Sequence, residues 1–445
     1  MPDPSESLNL AIDLMSQLRN RGHKAYLVGG CVRDRLLGIQ PKDFDIATDA
    51  SPGQIATYFP GAFLVGAHFG VVLVQQGQAR VEVATFRSEG EYSDARRPDE
   101  VHFESDPTLD AQRRDFTING LMEDPVSGQI LDAVGGLADL ANKTIRAIGH
   151  ASERFREDHL RMLRAVRFAA RLKFDIEPET GLAISRQAAV VQSVSAERIR
   201  EELVRILSEG GARRGLELLD ELGLLAQLLP EVKAFQGVEQ PPEFHPEGDV
   251  WIHVMMMLEK MGPPPLPASL AWGVLLHDVG KPSTFRRAVD RIRFDGHAEV
   301  GAEMARAILG RLRFSNGDLE HITSLVANHM KFKDVQKMRT STLKRFLRMP
   351  HFEEHLALHR LDCLCSNGRT ESYDFIREKL TEVSAETLHP PRLLSGRDLI
   401  EAGFSPGPGF SSALEAVETA QLEGEIDTRD EAMEIARRVL VAQGC

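Results

Sequence analysis

LVGGCVRDRLLG at Leu27–Gly38 and DFDIAT at Asp43–Thr48 decide how the rest of this chain is read. Ala25–Val28 is a short apolar run suited to a strand, and the Gly29–Gly30 pair that ends it precedes a helix-like stretch. Bare backbone N–H groups at such a strand-to-helix turn form a ready site for a triphosphate. Taken alone, Gly-Gly after a strand more often marks a tight turn. Asp43 and Asp45 add to it. Alternate residues of a strand point to one face, so the two carboxylates are expected to converge, as Mg²⁺ bound through carboxylates and substrate phosphates requires. Two such ions would activate an attacking hydroxyl and neutralise a leaving pyrophosphate. Glu82, in VEVATFR on a later strand, is a third candidate carboxylate. A lone D-x-D is commonly a solvated strand end. Gly-Gly, D-x-D and an acid between apolar residues, in that order within about 55 residues, argue against that here.

Outward from this stretch, residues up to about 145 read as mixed α/β. A helix is expected around Leu8–Leu18, with strands at Ala62–Val65, Val71–Gln75 and Val81–Phe86. From about Arg154 the spacing of Leu160, Leu163, Val166, Phe168 and Ala170 is helical, and further helices are expected at Ala196–Leu207 and Leu216–Leu228. GVEQPPEFHP at Gly237–Pro246 has the character of a linker. A second helical block carries most of the histidines, and HPPRLL from residue 389 breaks the pattern before two last helices. The expected division is an α/β head at 1–145, a helical neck at 146–236, a histidine-bearing domain at 237–385 and a helical tail at 386–445.

With 445 residues, about three domains are expected at roughly 150 residues each. A hydrophobic content of 42% with 27% charged residues fits a chain able to bury real cores. No apolar run approaches the roughly 18 residues of a membrane span, and MPDPSESLNLAIDL lacks the pattern of a secretory signal. The four cysteines form no C-x-x-C pair and no disulfide framework, so a reducing cytoplasm fits best. Cys363, Cys365 and Met255–Met257 read as packing residues, and Cys31 fills the variable position between Gly29–Gly30 and Val32. A net charge of −13 argues against wholesale coating of nucleic acid. Charge is nonetheless segregated: between Lys143 and Lys173 stand nine Lys/Arg against three Asp/Glu. That patch is either a solvated helix face or a local groove for phosphates.

GGCVRDRLLG with DFDIAT, RRDFTING (Arg113–Gly120) and ERFREDHLRMLRAVRFAARLKF (Glu153–Phe174) resemble the class II tRNA nucleotidyltransferase/poly(A) polymerase family. LLSGRDLIEAGFSPGPGF (Leu393–Phe410) and QLEGEIDTRDEA (Gln421–Ala432) are similar to the C-terminal part of many bacterial members, so the resemblance covers the whole chain. It implies the nucleotidyltransferase fold of DNA polymerase β, followed by an all-α neck, HD domain and tail. It implies that Asp43 and Asp45 hold catalytic metals and that Gly29, Gly30, Arg33 and Asp34 shape the triphosphate pocket. Arg114, Asp115 and Asn119 would line the nucleotide site from a second side. YSDARRPDEVHF (Tyr92–Phe103) matches a flexible loop that members need for the final A addition. Gly120 stands where Ala is common, a small departure.

Asp158 and Arg161 are three apart on an expected helix and so share a face. Cytosine and adenine each present an amino donor beside an unprotonated ring nitrogen; uracil and guanine present the reverse. A carboxylate facing the amino group and an Arg facing the ring nitrogen therefore suit CTP and ATP together. An unmatched buried pair costs on the order of 1–3 kcal/mol per group. The competing reading is a surface i,i+3 ion pair worth about 0.2–0.5 kcal/mol. Arg164 would join the nucleotide site. Arg167 and Arg171, further down the same helix, would contact the RNA backbone or pair with neighbouring acids.

His253, His277–Asp278 and Asp362 follow the order H…HD…D of the HD superfamily, in WIHVMMML, LLHDVGKP and HRLDCL. Such ligands from several helices can converge on one divalent metal and deprotonate a bound water. His297 and His329 fall where binuclear HD proteins carry two more ligands. The expected activity is template-independent addition of C, C and A to the tRNA 3′ acceptor end from CTP and ATP. Mg²⁺ is expected in the head and a divalent metal in the HD domain, with phosphohydrolysis as a second activity there. No membrane and no obligate protein partner is expected. The competing readings are an A-adding enzyme or a poly(A) polymerase; an HD phosphohydrolase whose head only binds RNA; and a non-enzymatic tRNA-binding protein.

Overall fold

The computed structural model describes residues 4–66, 70–90, 100–382 and 388–443. The chain divides into two compact units. One comprises Met1–Lys233 with Gly262–Leu266 and Arg311–Arg313; the other comprises Ala234–Met261, Pro267–Gly310 and Phe314–Cys445.

The first unit opens with the helix Pro4–Asn20, and its head carries β1 (Ala25–Val28), β2 (Asp45–Thr48), β3 (Ala62–Gly66), β4 (Val71–Gln76), β5 (Ala79–Thr85), β6 (Arg87–Glu89), β7 (Val101–Phe103), β8 (Met122–Asp124) and β9 (Gln129–Leu131) among the described residues. Seven of them form one sheet in the order β3-β4-β5-β2-β1-β8-β9. β2 and β5 run parallel and the other pairs antiparallel. Period-two patterning sets the faces. Val81 and Val83 of β5 are buried while Arg80 and Glu82 are exposed, as expected for a half-buried strand. Val28, Ala47, Phe86, Ala111 and Met122 close one core of this region. Most of the expected loop at Tyr92–Phe103 lies outside the described residues; its last part, β7, pairs with β6.

Three local expectations change. β2 begins at Asp45, so Asp43 precedes the strand and does not share its pleat. The helix expected to run through Asp158 is two helices, Ala151–Glu157 and Arg161–Leu172. Asp158 stands between them with φ −147° and ψ 105°, and its carboxylate accepts the Leu160 N–H at 3.1 Å. An Asp that bonds the backbone two residues on competes with helix continuation, and the apolar spacing runs through the break unaltered. The expected segment Leu216–Leu228 also splits, into Ala212–Glu221 and Leu224–Leu228 around Gly223. The departure at Gly120 has a spatial reason: a Cβ there would lie 2.6 Å from Val134 Cγ2.

The second unit is mainly helical. Asp249 caps the helix Val250–Lys260 by accepting the Ile252 N–H at 2.8 Å. Ala268–Leu276 is buried on nearly every side and delivers His277 and Asp278 at its end. Gly280 then permits a close approach, since a Cβ there would sit 2.2 Å from the His297 carbonyl oxygen. That contact brings the start of the helix His297–Arg311 beside His277–Asp278. Phe332, Phe346, Phe352 and Ile376 anchor one core of this unit, and Leu399, Val417, Ala436 and Leu440 a separate one in the tail. Among the described residues no helix is long and apolar enough to cross a membrane.

Candidate functional site

The first unit contains a cavity of about 850 Å³ where β1 ends and the antiparallel β2 begins. Gly29 takes φ +73°, and a Cβ there would lie 3.1 Å from an Arg114 guanidinium nitrogen. Glycine is needed for this backbone to stand so close to a cation. Gly29, Gly30, Asp43 and Asp45 form one wall; Arg114, Asp115, Asn119, Asp158 and Arg161 form the other. Ten arginines and Lys42 line the cavity against six carboxylates, a surplus of positive charge in an acidic chain.

Glu82 does not line the cavity, although the parallel β2–β5 pairing sets it directly beside Asp45. The carboxyl of Asp45 is raised to about 6, by burial first and then by the neighbouring Glu82 and Asp43 carboxylates against the opposing pull of Arg114. Among the described residues the oxygens of Asp43, Asp45 and Glu82 do not gather within the 4.8 Å spacing of the histidine cluster below. Two carboxylates that oppose the ionisation of Asp45 nonetheless suit a hard cation there, which relieves that repulsion.

Five of the expected nucleotide-site residues form one hydrogen-bonded chain. Asp34 Oδ1 accepts from Arg33, whose other arm donates to Asn119 Oδ1 at 2.7 Å. Asn119 in turn donates to Asp115 Oδ1 at 3.0 Å, and Arg164 grips Asp115 Oδ2 at 2.6 and 2.8 Å. Burial pushes the Asp115 carboxyl up, but Arg164 and Asn119 outweigh it and hold the group well below the usual carboxylate range. Arg171 closes the far end on Asp34 at 3.3 Å. The chain ties the turn after β1, the RRDF segment and the Arg161–Leu172 helix into one frame.

Asp158 and Arg161 both open into the cavity but are not paired with each other. Arg198, on the Ala196–Ser208 helix, clamps both carboxylate oxygens of Asp158 at 3.1 and 2.7 Å. Arg161 is held by Glu157 at 2.6 Å and by the Arg154 carbonyl at 3.1 Å. Arg167 is buried against Glu202 at 2.6 Å, which makes it part of the interior rather than an open phosphate contact. The sequence reading missed Arg198, Arg205, Arg113, Arg87 and Lys42, all of which line the cavity. Arg113 alone carried a signal, inside RRDFTING; the others sit in segments without a motif.

In the second unit His253, His277, Asp278, His297, His329 and Asp362 come together. Asp278, His297 and His329 offer ligand atoms within 4.8 Å of one another, as do His253, His277 and Asp278. Nδ1 of His277, His297 and His329 lies 2.9, 2.8 and 2.7 Å from the carbonyl oxygens of Val274, Phe294 and Val326. Each ring therefore carries its proton on Nδ1 and turns the Nε2 lone pair inward, as a metal ligand must. The Nε2 atoms of His253 and His277 are buried without a hydrogen bond, while Oδ2 of Asp278 lies 2.6 Å from the Lys281 ammonium. Burial holds His329 down to about 3, with His277 nearby adding to the effect. For Asp278 burial is outweighed by His277 and Lys281, which keep it well below the ordinary carboxylate range. A buried carboxylate among imidazoles that turn Nε2 inward fits a divalent cation. His245 and Glu247, which the sequence reading assigned to a linker, form a further group with His253.

Residues 25–146 match the family described as the poly A polymerase head domain, 173–236 the probable RNA and SrmB-binding site of polymerase A, and 249–362 the HD domain. The chain is 38% identical over 262 residues to a CCA-adding enzyme of Lactobacillus johnsonii, covering 57% of this chain and 65% of that one. It is 44% identical over 219 residues to the CCA-adding enzyme of Geobacillus stearothermophilus, covering 49% and 54%. The match thus spans less than two thirds of the length of these relatives. The crystal structure of the Bacillus stearothermophilus CCA-adding enzyme in complex with CTP aligns over 100% of both chains, with a TM-score of 0.74 and 26% identity. The Thermotoga maritima CCA-adding enzyme complexed with tRNA shares the fold at a TM-score of 0.58 and 21% identity, over 99% of this chain and 96% of that one.

Proposed function

We propose that this chain, which belongs to the class II tRNA nucleotidyltransferase/poly(A) polymerase family with an HD domain, adds C, C and A to the 3′ end of tRNA from CTP and ATP. The observation that carries the reading is a single arginine-rich cavity into which Gly29–Gly30, Asp43, Asp45, Asp158 and Arg161 all open. The tRNA 3′ oxygen forms a bond to the α-phosphorus, the bond to the β-phosphate oxygen breaks, and pyrophosphate leaves. Asp43 and Asp45, with Glu82 behind, would hold Mg²⁺, which supplies activation of the hydroxyl and charge neutralisation on the phosphates. Gly29 and Gly30 let backbone N–H groups reach the triphosphate. Arg33, Asp34, Arg114, Asp115, Asn119 and Arg164 keep that pocket rigid and oriented. Positioning and electrostatics supply most of the rate in such transfers.

Base choice falls to Asp158 and Arg161. A carboxylate has about four acceptor sites, so Arg198 can orient Asp158 and still leave it acceptor capacity for an exocyclic amino group. Arg161, fixed by Glu157 and the Arg154 carbonyl, would donate to the ring nitrogen. Arg171 and Arg205 suit the primer backbone, and Arg167 serves the frame. We place the four-part division at 1–145, 146–236, 237–385 and 386–445, and the cytoplasm as the site of action.

The decisive experiment uses one tRNA transcript ending at the discriminator base and another ending in CC, each with Mg²⁺ and CTP, ATP or both. Three added nucleotides and a stop on the first transcript are expected. Extension of the CC-ended transcript alone, with ATP alone, would replace the reading by an A-adding enzyme; a long ATP ladder would replace it by a poly(A) polymerase.

The inward-turned histidines favour a second reading for the other unit. His253, His277, Asp278, His297, His329 and Asp362 would hold a divalent metal, which supplies a hydroxide for hydrolysis of phosphate esters at RNA ends. Release of phosphate from a 3′-phosphorylated end, or opening of a 2′,3′-cyclic phosphate to a monoester, is expected. Its absence from metal-replete protein would leave the cluster a structural staple.

A further inference from the structure

We propose that Glu247 is a positioning residue of the histidine-rich metal centre, fixing His253 so that its Nε2 faces the ion; the inference rests on reading that cluster as a metal centre. The four histidines are oriented by two different means. His277, His297 and His329 each use the main-chain carbonyl three residues earlier, at 2.7–2.9 Å. His253 does not. Its Nδ1 lies 2.7 Å from Glu247 Oε1, so a carboxylate replaces the carbonyl. The proton is thereby held on Nδ1, and Nε2 is left buried without a hydrogen bond, 3.3 Å from Asp362 Oδ1.

Glu247 is itself held in place. Its side chain is 5% exposed, and the same Oε1 meets Nδ1 of His245 at 2.8 Å. The His245 ring stands edge-on to that of His253, with centroids 5.0 Å apart. Oε2 of Glu247 is buried without a hydrogen-bond partner. Burial of a carboxylate is costly unless it serves paired groups. Here the paired groups are one metal-facing ring and a second ring that braces the carboxylate. An anionic acceptor on Nδ1 also strengthens the imidazole as a ligand, beyond what a carbonyl does. The residue comes from the HPEGD turn, whose Asp249 starts the helix that carries His253. The turn thus sets both the helix and the orientation of its metal-facing ring.

The test uses the full chain, stripped of metal and titrated with Co²⁺, followed by equilibrium dialysis and by the visible absorption of the bound ion. Glu247→Ala is expected to weaken Co²⁺ binding by about 10–100-fold and to alter the spectrum. Glu247→Gln, whose amide oxygen still accepts from Nδ1–H without the charge, is expected to fall between it and the unchanged protein. His245→Ala, which removes the brace and keeps the carboxylate, should cause a smaller loss than Glu247→Ala. Should Glu247→Ala fail to fold, as judged by melting without metal, the isosteric Gln variant decides. Parent-like affinity and spectrum in Glu247→Gln and Glu247→Ala would overturn the positioning role. Absence of Co²⁺ binding by the parent would instead overturn the metal-centre reading.

Discussion

The nucleotide cavity and the histidine cluster are built on opposite plans. The cavity is lined by cations, most of which already have an anionic partner: Arg33 with Asp34, Arg164 with Asp115, Arg198 with Asp158, Arg114 with Asp110. Those pairs fix geometry and leave only a modest surplus of charge for phosphates. The cluster is the reverse. Three of its rings have Nδ1 pinned to a main-chain carbonyl, and Nε2 of His253 and of His277 is buried without a hydrogen bond. One site is preorganised by satisfied pairs so that a large ligand can be measured against them. The other withholds satisfaction so that a small cation must supply it.

The sharpest way to break this comparison is to exchange the losses. Asp45→Ala should lower nucleotide incorporation by at least about a thousandfold, the scale of removing a central electrostatic contact, and leave Co²⁺ binding at the histidine cluster intact. Asp278→Ala should abolish that binding and leave incorporation within about twofold, since the two sites share no ligand. Because it also strands the buried Lys281 ammonium, 2.6 Å from Asp278, it should cost about 3–5 kcal/mol of stability. Gel extension assays, metal dialysis and denaturant melts check all three. A cluster variant that stops incorporation would join what the comparison separates.

Within the cavity, the pairs themselves can be tested. Asp158→Ala should erode preference for CTP and ATP over UTP and GTP by roughly ten- to a hundredfold, the value of one or two buried groups left unmatched. Arg198→Ala should cause a smaller loss of the same kind, because it frees Asp158 without removing it. Single-nucleotide incorporation with each of the four triphosphates separates these outcomes. Unchanged discrimination in both variants would show that the base is read elsewhere.

The acids of the cavity also differ in pH response. Asp45 is raised to about 6, so the folded chain holds its proton more tightly than the unfolded chain. In metal-free protein that group favours the fold increasingly as pH falls from about 7 to 4. Asp115 is held low by Arg164, so its stabilising contribution is complete above the unfolded value and is lost as pH falls from there through the lowered folded value. Incorporation should therefore decline by up to about tenfold per pH unit below 6, as protons compete with metal at Asp45. Raising Mg²⁺ should restore part of the rate at pH 5.5. A profile flat down to pH 5 would remove Asp45 from the rate.

What was legible in the sequence was what local order encodes. Gly29–Gly30, Asp45 and Glu82 are placed by β1, β2 and β5, which lie side by side in the sheet, and the HD ligands by helices with a glycine at the crossing. What was not legible depends on partners distant in sequence. Arg198 lies forty residues beyond Asp158, in a helix whose spacing reports only its buried face. The break at Asp158 escaped because one side-chain bond to Leu160 N–H outweighed a continuous apolar period. Glu247 escaped because the Pro and Gly that mark a turn say nothing of where a turn's carboxylate points.

The smallest expected effect bears on how the surplus of positive charge is used. Arg205 and Arg198 are seven residues apart on the Ala196–Ser208 helix and both line the cavity, with Glu202 between them turned inward to Arg167. Arg205 is exposed and forms no ion pair among the described residues. A guanidinium in that setting loses little on meeting a phosphate, since no internal bond has to break. Arg167 would have to abandon Glu202 and leave a buried carboxylate unpaired. Arg205→Ala should therefore weaken tRNA binding by about fivefold, lower the salt slope by about one, and leave base choice unchanged. Arg167→Ala should instead lower stability, by about 3–5 kcal/mol, with the salt slope unaltered. Measured tRNA affinity across a salt series, beside melting curves, tells a phosphate contact from a strut. An unchanged slope for Arg205→Ala would assign the surplus to the triphosphate alone.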